Sequence, residues 1–168
     1  MRTRLYNAPD YYHVAFEVNR KAETDFIEAC FRKYAHRSVR DVADLACGTG
    51  HHTLRLAERG YRVTALDLSQ PNIAFLRSEA VRRKLPVRAV VGDMTGFRLV
   101  QPADGAICMR DSQGHLLTNN ALIDHFRAVR AKFDPVVCSS SIGWFRTVLP
   151  IQRVVGHGRP VVEASRSG

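Results

Sequence analysis

Residues 44–53 read Asp-Leu-Ala-Cys-Gly-Thr-Gly-His-His-Thr, a glycine loop between a short apolar run and a segment of helical periodicity. The apolar run, Val42 to Ala46, predicts a strand, and His51 to Arg59 predicts a helix that Gly60 ends. Glycine at such a junction permits positive φ and a close approach of the backbone to a ligand. In an open parallel sheet, ligands bind outside the carboxyl ends of the strands, where this loop is expected to lie.

Outward from the loop, strand and helix patterns alternate along the chain. Three more strands are predicted, at Tyr61 to Leu66, Val87 to Val91 and Ala106 to Met109. Helical periodicity separates them, with Ser69 as an N-cap and a further helix from Asn119 or Asn120, and an amphipathic helix at Ala22 to Tyr34 precedes them. Strands joined by helices form parallel, right-handed crossovers. We therefore expect an α/β fold, a Rossmann-like doubly wound parallel sheet in a three-layer α/β/α arrangement.

Acidic residues accompany the predicted strand ends. Asp44 lies four residues before Gly48, Asp67 follows the second strand, and Asp93 follows the third. A carboxylate at position 67 can accept hydrogen bonds from both hydroxyls of a ribose, which indicates a nucleoside cofactor. A dinucleotide loop has a third glycine where this chain has Thr53, and an acid beside the loop would repel pyrophosphate. S-adenosylmethionine (SAM) instead carries an ammonium and a sulfonium, so the acids favour SAM, with an NAD(P)-dependent oxidoreductase as the alternative.

Several segments resemble motifs of class I SAM-dependent methyltransferases of the small-molecule type. Asp44 to Gly50 resembles motif I, and Ala65 to Ser69 resembles the ribose-binding strand end. Gly92 to Met94 is similar to the segment that contacts adenine, and Cys108 to Leu117 resembles the fourth-strand segment that faces cofactor and substrate. The opening Tyr6 to Arg20 resembles the N-terminal lid of one subgroup. This resemblance covers about residues 6–135 and implies transfer of a methyl group from SAM to a small-molecule acceptor.

The resemblance also implies roles for single residues in cofactor binding. Asp67 would hold the ribose, Leu68 would pack on the adenine, and the Asp93 carboxylate would accept a hydrogen bond from the adenine amino group. The backbone of Met94 would read the adenine ring, and the backbone of Arg110 would lie near the methionine moiety. The methionine moiety itself would be surrounded by the motif I residues Asp44, Ala46, Cys47, Gly48 and Gly50.

Two polar residues after the fourth predicted strand are candidates for contact with the acceptor. His115 is a candidate general base, because an imidazole titrates near neutral pH, and a histidine that tethers the loop is the alternative. Asp111 is a candidate substrate contact, with capping of the loop as the alternative. Adjacent residues point in different directions on a helix, so His51 and His52 are not expected to form a metal site.

Composition and charge restrict the class of partner. The chain has 168 residues and a formal net charge of +9, but its arginines are scattered and no basic stripe is interleaved with aromatics, which argues against nucleic acid. No apolar run approaches the roughly 20 residues that span a bilayer, and the N-terminus lacks the apolar core of a signal peptide. We therefore expect a cytoplasmic protein without membrane contact. The 4 cysteines are far apart and are interpreted as reduced, buried thiols without a metal.

The pattern changes after Pro135. The family usually has a Gly-Gly turn into a fifth strand there, whereas this chain reads Val136-Val-Cys-Ser139. Loss of one base from codons for Gly-Gly-Leu-Phe would give these residues, so an out-of-frame tail and a genuinely divergent tail are both consistent with the sequence. We divide the chain into an N-terminal helical lid (1–40), a SAM-binding core (41–135) and a divergent tail (136–168).

That division carries expectations about the C-terminal region and about activity. We expect four strands, with a further strand at Val136 to Cys138 as an open alternative, and an incomplete C-terminal sheet edge, which would leave the fourth strand without an interior position. An unpaired edge is prone to association, so we expect a homodimer contact to depend on the tail. We also expect weak or absent turnover, with a non-catalytic SAM-binding remnant as a further alternative to an enzyme.

Overall fold

The computed structural model describes residues 8–15, 20–100, 102–130, 136–140 and 146–150. Six strands form one sheet: β1 (Asp41–Leu45), β2 (Arg62–Asp67), β3 (Val87–Val91), β4 (Gly105–Cys108), β5 (Val136–Ser140) and β6 (Arg146–Pro150). Their order across the sheet is β3-β2-β1-β4-β5-β6. The first five strands run parallel, and β6 pairs with β5 in the antiparallel direction.

Helices precede β1 and connect β1 to β2, β2 to β3 and β4 to β5, whereas the described residues between β3 and β4 contain no helix. The helices are α1 (Pro9–Ala15), α2 (Arg20–Tyr34), α3 (His51–Glu58), α4 (Gln70–Arg82) and α5 (Asn119–Arg130), with one turn of 3₁₀ helix at Ser112–His115. The Ser69 hydroxyl accepts a hydrogen bond from the Asn72 N–H at 3.4 Å, which confirms the predicted N-cap of α4. Gly60 has a φ of 93° just after α3, as a left-handed helix end requires. Within the described residues, no helix combines the length and apolar composition that crossing a bilayer requires.

Strand β1 lies between β2 and β4. Its residue Asp44 is in register with Ala65 of β2 and with Ile107 of β4. The chain passes from β1 to β2 and β3 on one side and reaches β4 on the other side only afterwards, so the direction of winding reverses at β1. Doubly wound sheets bind ligands in the crevice at such a reversal, outside the carboxyl ends of the strands. The glycine loop follows β1 at that crevice.

Alternate residues of β1 face two different helical layers. Val42 packs in a buried cluster with Ile27 of α2 and Leu56 of α3. Leu45 belongs to a second buried cluster, which contains Val129 of α5. Because side chains alternate across a strand, odd and even positions of β1 are buried by helices on opposite sides of the sheet. This arrangement confirms the predicted three-layer fold.

The expectation that the fourth strand would lack an interior position is wrong. Val137, Cys138 and Ser139 of β5 pair in parallel with residues 106–108 of β4, and β6 extends the sheet further. Strand β4 is therefore an interior strand. A parallel strand needs an extended backbone and β-branched residues, which the two valines supply without the family's glycine turn. The side chain of Cys138, residues 131–135 and residues 151–168 lie outside the described part of the chain.

Candidate functional site

The glycine loop contains three residues with left-handed backbone: Ala46 (φ 57°), Gly48 (φ 57°) and Gly50 (φ 82°). The Cys47 N–H donates to the Leu66 carbonyl at 2.9 Å, which ties the loop to the end of β2. A Cβ at Gly50 would lie 2.3 Å from Leu76 Cδ1 of α4, so glycine is required there for space as well as for φ. Left-handed backbone at Ala46, which has a Cβ, is the kind of strain found at ligand sites.

Asp44 is the buried acid beneath this loop. Its side chain is 2% exposed, and its Oδ2 accepts a hydrogen bond from Thr53 Oγ1 at 2.6 Å. Burial raises the pKa of Asp44 to about 6, with a further contribution from Asp67, although His52 and the Thr53 hydrogen bond oppose the shift. A cation bound beside Asp44 would favour its ionised form. Thr53, noticed in the sequence only as a missing glycine, is thus the hydrogen-bond partner of the acid.

Asp67 ends β2, and two backbone N–H groups hold its carboxylate. Oδ2 accepts from the Gly48 N–H at 2.7 Å, and Oδ1 accepts from the Ser69 N–H at 2.8 Å. A carboxylate has roughly four lone-pair positions, so each oxygen can accept a further bond, as the two hydroxyls of a ribose require. Among the described residues, neither Asp67 nor Asp44 forms an ion pair with a lysine or arginine.

Three other predicted residues lie at the carboxyl ends of β2 and β3. Leu68 is 70% exposed, so its side chain is available to pack on a flat apolar group. Asp93 Oδ1 accepts from both the N–H and the hydroxyl of Thr95 at 2.8 Å, and Oδ2 takes part in neither bond. Met94 is buried, and its carbonyl accepts a hydrogen bond from His125 Nδ1 at 3.0 Å.

The turn after β4 carries the candidates for acceptor contact. Arg110 and Asp111 both have left-handed backbone, with φ of 57° and 56°. The Ser112 hydroxyl donates to the Met109 carbonyl at 2.8 Å and stabilises the turn. Asp111 and His115 are exposed. The Asp111 side chain makes no capping bond to the 3₁₀ helix that follows it, so the capping alternative for this residue is not supported.

The residues predicted to bind the cofactor thus lie at the carboxyl ends of four neighbouring strands. Strand β3 leads to Asp93 and Met94, β2 to Asp67 and Leu68, β1 to the glycine loop, and β4 to Arg110. A family model described as a methyltransferase domain matches residues 42–135, more than half of the chain. The chain belongs to this methyltransferase family.

Similarity to known proteins covers part of their length. The putative methyltransferase YqeM of Bacillus subtilis (strain 168) is 37% identical over 91 residues, which are 52% of this chain and 36% of YqeM. The chain therefore spans little more than a third of this curated relative. A SAM-dependent methyltransferase structure from Clostridium acetobutylicum ATCC 824 has a TM-score of 0.69 at 26% identity, over 80% of this chain and 56% of that one.

A second solved structure has a bound cofactor. It is SAM-bound CalS10, described as an amino pentose methyltransferase from Micromonospora echinaspora involved in calicheamicin biosynthesis. Its TM-score is 0.60 at 26% identity, over 76% of this chain and 52% of CalS10. These likenesses confirm the predicted Rossmann-like fold and the predicted family.

Two helices outside the family match contact the site of the methyltransferase domain. His13 Nδ1 of α1 lies 3.2 Å from Thr49 Oγ1, and its ring stacks on His51 with centroids 3.9 Å apart. Glu23 of α2 pairs with His52 Nε2 at 3.0 Å. Neighbouring histidines are thus engaged by different helices. His13 and Glu23 were not predicted as site residues, because no local pattern shows which helix packs on which loop.

His125 of the methyltransferase domain also supports the site and was not predicted from the sequence. It is fully buried on α5, and burial lowers its pKa. The neutral imidazole donates from Nδ1 to the Met94 carbonyl, which attaches α5 to the segment after β3. The signal in the sequence was a histidine within the apolar stripe of a predicted helix.

The thiol in the glycine loop of the methyltransferase domain is unsuited to nucleophilic attack. Burial, followed by the charges of Asp44 and Asp67, raises the pKa of Cys47 well above its usual range. A protonated thiol is a poor nucleophile. The prediction of a buried thiol is wrong for Cys47, which is only partly buried because the loop borders the crevice. Cys30 and Cys108 are buried free thiols, as predicted.

Proposed function

We propose that this domain binds SAM and transfers its methyl group to a small-molecule acceptor. The observation that carries the proposal is the pair of acids, Asp44 and Asp67, at the carboxyl edge of the sheet without a lysine or arginine partner among the described residues. Carboxylates beside a glycine loop attract a ligand with positive charge. A pyrophosphate would meet both acids, and the Gly48 N–H that could bind it already donates to Asp67.

The residues at this edge fit SAM in their chemistry. Asp67 would hold the ribose through its remaining lone pairs, and exposed Leu68 would pack on the adenine. Asp93 Oδ2 would accept a hydrogen bond from the adenine amino group while the Met94 backbone reads the ring. The methionine moiety would lie against the buried acid, the loop and the turn after β4, namely Asp44, Ala46, Cys47, Gly48, Gly50 and Arg110.

The chemistry asked of the protein is mainly positional. When bound, SAM supplies an activated sulfonium from which the methyl group is displaced directly. The chain orients the acceptor in line with that bond and excludes water. His115 would take the proton of an acceptor hydroxyl or amine, and Asp111 would bind the acceptor, because both are exposed beside Arg110 on the turn after β4. A small-molecule acceptor is supported by the description of CalS10 as an amino pentose methyltransferase.

Isothermal titration calorimetry of the 168-residue chain tests the cofactor class. We expect S-adenosylhomocysteine (SAH) and SAM to bind and NAD not to bind. Asp67→Ala should weaken SAH binding roughly 10- to 100-fold, since charge-assisted hydrogen bonds contribute about 1.5–3 kcal/mol. Asp104 is a matched control, because its carboxylate also accepts hydrogen bonds from two backbone N–H groups, those of Arg40 and Asp41. These groups lie at the amino ends of the strands, away from the glycine loop.

These titrations, together with an assay of methyl transfer, distinguish the methyltransferase from the oxidoreductase and from the SAM-binding remnant. Tight binding of NAD that Asp67→Ala abolishes would replace this proposal with a nicotinamide-dependent oxidoreductase. Binding of SAH without methyl transfer to any component of a metabolite extract, followed with a labelled methyl donor, would indicate a SAM-binding remnant. Equal loss of SAH affinity in Asp67→Ala and Asp104→Ala would contradict the assignment of the ribose site.

Three expectations about the whole chain stay predictions. Analytical ultracentrifugation tests whether the protein is a homodimer, and localisation of a tagged chain tests the cytoplasmic assignment. Resequencing the source DNA across codons 134–140 tests whether the tail is in frame.

A further inference from the structure

Glu23 connects three separate parts of the fold. It belongs to the first turn of α2, outside the residues matched by the family model. Its Oε1 accepts a hydrogen bond from Arg110 Nη2 at 3.0 Å, and its Oε2 lies 3.0 Å from His52 Nε2. His52 is the second residue of α3, directly after the glycine loop, and Arg110 lies in the turn after β4. One carboxylate therefore contacts the elements on both sides of the crevice between β1 and β4.

The turn that carries Arg110 needs support from outside itself. Arg110 and Asp111 are consecutive residues with left-handed backbone, and neither is glycine. Each such residue costs roughly 1–3 kcal/mol and persists only when its surroundings hold it. The Ser112 hydroxyl bonded to the Met109 carbonyl holds the turn from its own side. The ion pair with Glu23 holds it from a helix 87 positions away in the sequence.

Glu23 is ionised throughout the physiological pH range. Partial burial opposes its charge, but the neighbouring His52 and Arg110 side chains outweigh burial and lower the pKa of Glu23 to about 2. The side chains of Glu23 and Arg110 are about one quarter exposed, so their pair is partly shielded from water. A pair of this kind fixes geometry more than it adds stability.

We propose that Glu23 is a positioning residue of the methyl-transfer site, which holds the turn after β4 at a fixed distance from the first turn of α3. The proposal rests on the proposed function, since that turn is where the methionine moiety and the acceptor would lie. Glu23 acts through Arg110 and touches neither cofactor nor acceptor. Loss of its charge releases the turn and widens the crevice, so cofactor affinity falls while the remainder of the sheet is unchanged.

Glu23→Gln is the test variant, and Glu28→Gln is its matched control. Both glutamates lie on α2, and both pair with a residue outside it, because Glu28 Oε2 accepts from Arg59 Nη1 at the far end of α3. Calorimetry with SAH should show about tenfold weaker binding for Glu23→Gln and less than a twofold change for Glu28→Gln, with similar small losses in Tm for both. Equal weakening by both variants, or none by Glu23→Gln, overturns the proposal.

A double-mutant cycle with Arg110→Gln separates positioning from general support of the fold. If Glu23 acts through Arg110, Glu23→Gln should weaken SAH binding less than twofold in the Arg110→Gln background, and independent tenfold effects overturn the proposal. Should Glu23→Gln fail to fold, Glu23→Asp retains the charge with a shorter reach. Weaker SAH binding by folded Glu23→Asp then supports the proposal, and unchanged binding overturns it. A wild-type chain that does not bind SAH overturns the proposed function and this inference together.

Discussion

The two ends of the same parallel strands arrange their charges differently. At the amino end, Arg62 forms a two-pronged ion pair with Asp41, and Arg37 pairs with Asp104, around an open groove of about 760 Å³. At the carboxyl end, the acids of β1 and β2 have no lysine or arginine partner among the described residues. Both acids that line the groove are therefore paired with arginines, whereas the two acids beside the glycine loop are not, within the described part of the chain. Acids without a cationic partner thus distinguish the carboxyl end as the candidate ligand site.

The strongest test of this comparison uses one glycine from each end. Gly50 and Gly60 both have positive φ, but a Cβ at Gly50 would clash with Leu76, whereas at Gly60 nothing lies within 4 Å. Gly50→Ala should cost about 2–5 kcal/mol of unfolding free energy, the sum of roughly 1–2 for left-handed backbone and 1–3 for overpacking. Gly60→Ala should cost only the backbone part, about 1–2 kcal/mol. Chemical denaturation measures both, and equal losses would contradict the tight packing of the glycine loop.

The second test removes the carboxylate that holds backbone N–H groups at the amino end. Asp104→Ala should lower the free energy of unfolding by about 1–3 kcal/mol, because two donors lose their acceptor, and should leave SAH affinity within twofold of wild type. Partial burial opposes the charge of Asp104, but two backbone N–H groups and nearby arginines outweigh it and lower its pKa. The stabilisation is therefore present above about pH 4 and is lost as pH falls through the lower folded pKa.

Denaturation at several pH values measures this contribution. The difference in stability between wild type and Asp104→Ala should shrink at acidic pH. A difference that does not change with pH, or a large loss of SAH affinity in the variant, would mean that the two ends of the sheet are not independent.

A smaller effect is expected from the titration of Asp44. Its pKa of about 6 means that it is largely protonated below that pH and cannot then attract the ammonium of SAH. SAH affinity should fall about fourfold between pH 7.5 and pH 5.5, as the titration of one carboxyl requires. Stability of the ligand-free chain should change in the opposite sense. A raised pKa contributes stability that is fully present below about pH 4 and is lost as pH rises through 6.

Calorimetry across this pH range, with Asp44→Asn as the control, measures the affinity. The variant should bind SAH weakly and with a flat pH profile. A flat profile in the wild type would show that the buried acid does not face the ligand's charge.

The smallest effect is expected at the contact between α1 and the glycine loop. His13→Ala removes the stack on His51 and the contact with Thr49, and should cost on the order of 0.5 kcal/mol. Amide hydrogen exchange of residues 9–15 should then be faster, by about twofold to threefold. Tyr11→Ala is the control on the same helix, since Tyr11 is 76% exposed. The same increase in exchange for both variants would mean that His13 does not hold α1 on the loop.

Local pattern was sufficient to predict most of the elements. The β3 bounds agree with the prediction, α3 begins at His51 as predicted, and the remaining predicted core strands are displaced by about one residue. These elements depend on short-range signals, namely alternation, helical period and a cap such as Ser69. The expectation that the fourth strand would lack an interior position came from relying on the family's glycine turn, although Val136 and Val137 are adequate strand formers.

Contacts between residues far apart in the sequence could not be predicted from local pattern. The Gly48 N–H meets the Asp67 carboxylate, His125 meets the Met94 carbonyl, and Glu23 meets Arg110 only after the crossovers have brought distant segments to one edge. Glycine positions, helical periodicity and charge can be read from residues that are neighbours in the sequence. The sequence alone therefore identified a strand–loop–helix unit with an acidic residue before the loop and another after the next strand. Which groups share a hydrogen bond, and which acids lack a cationic partner, depends on strand order and helix packing, because these interactions act over a few ångströms between residues far apart in the chain.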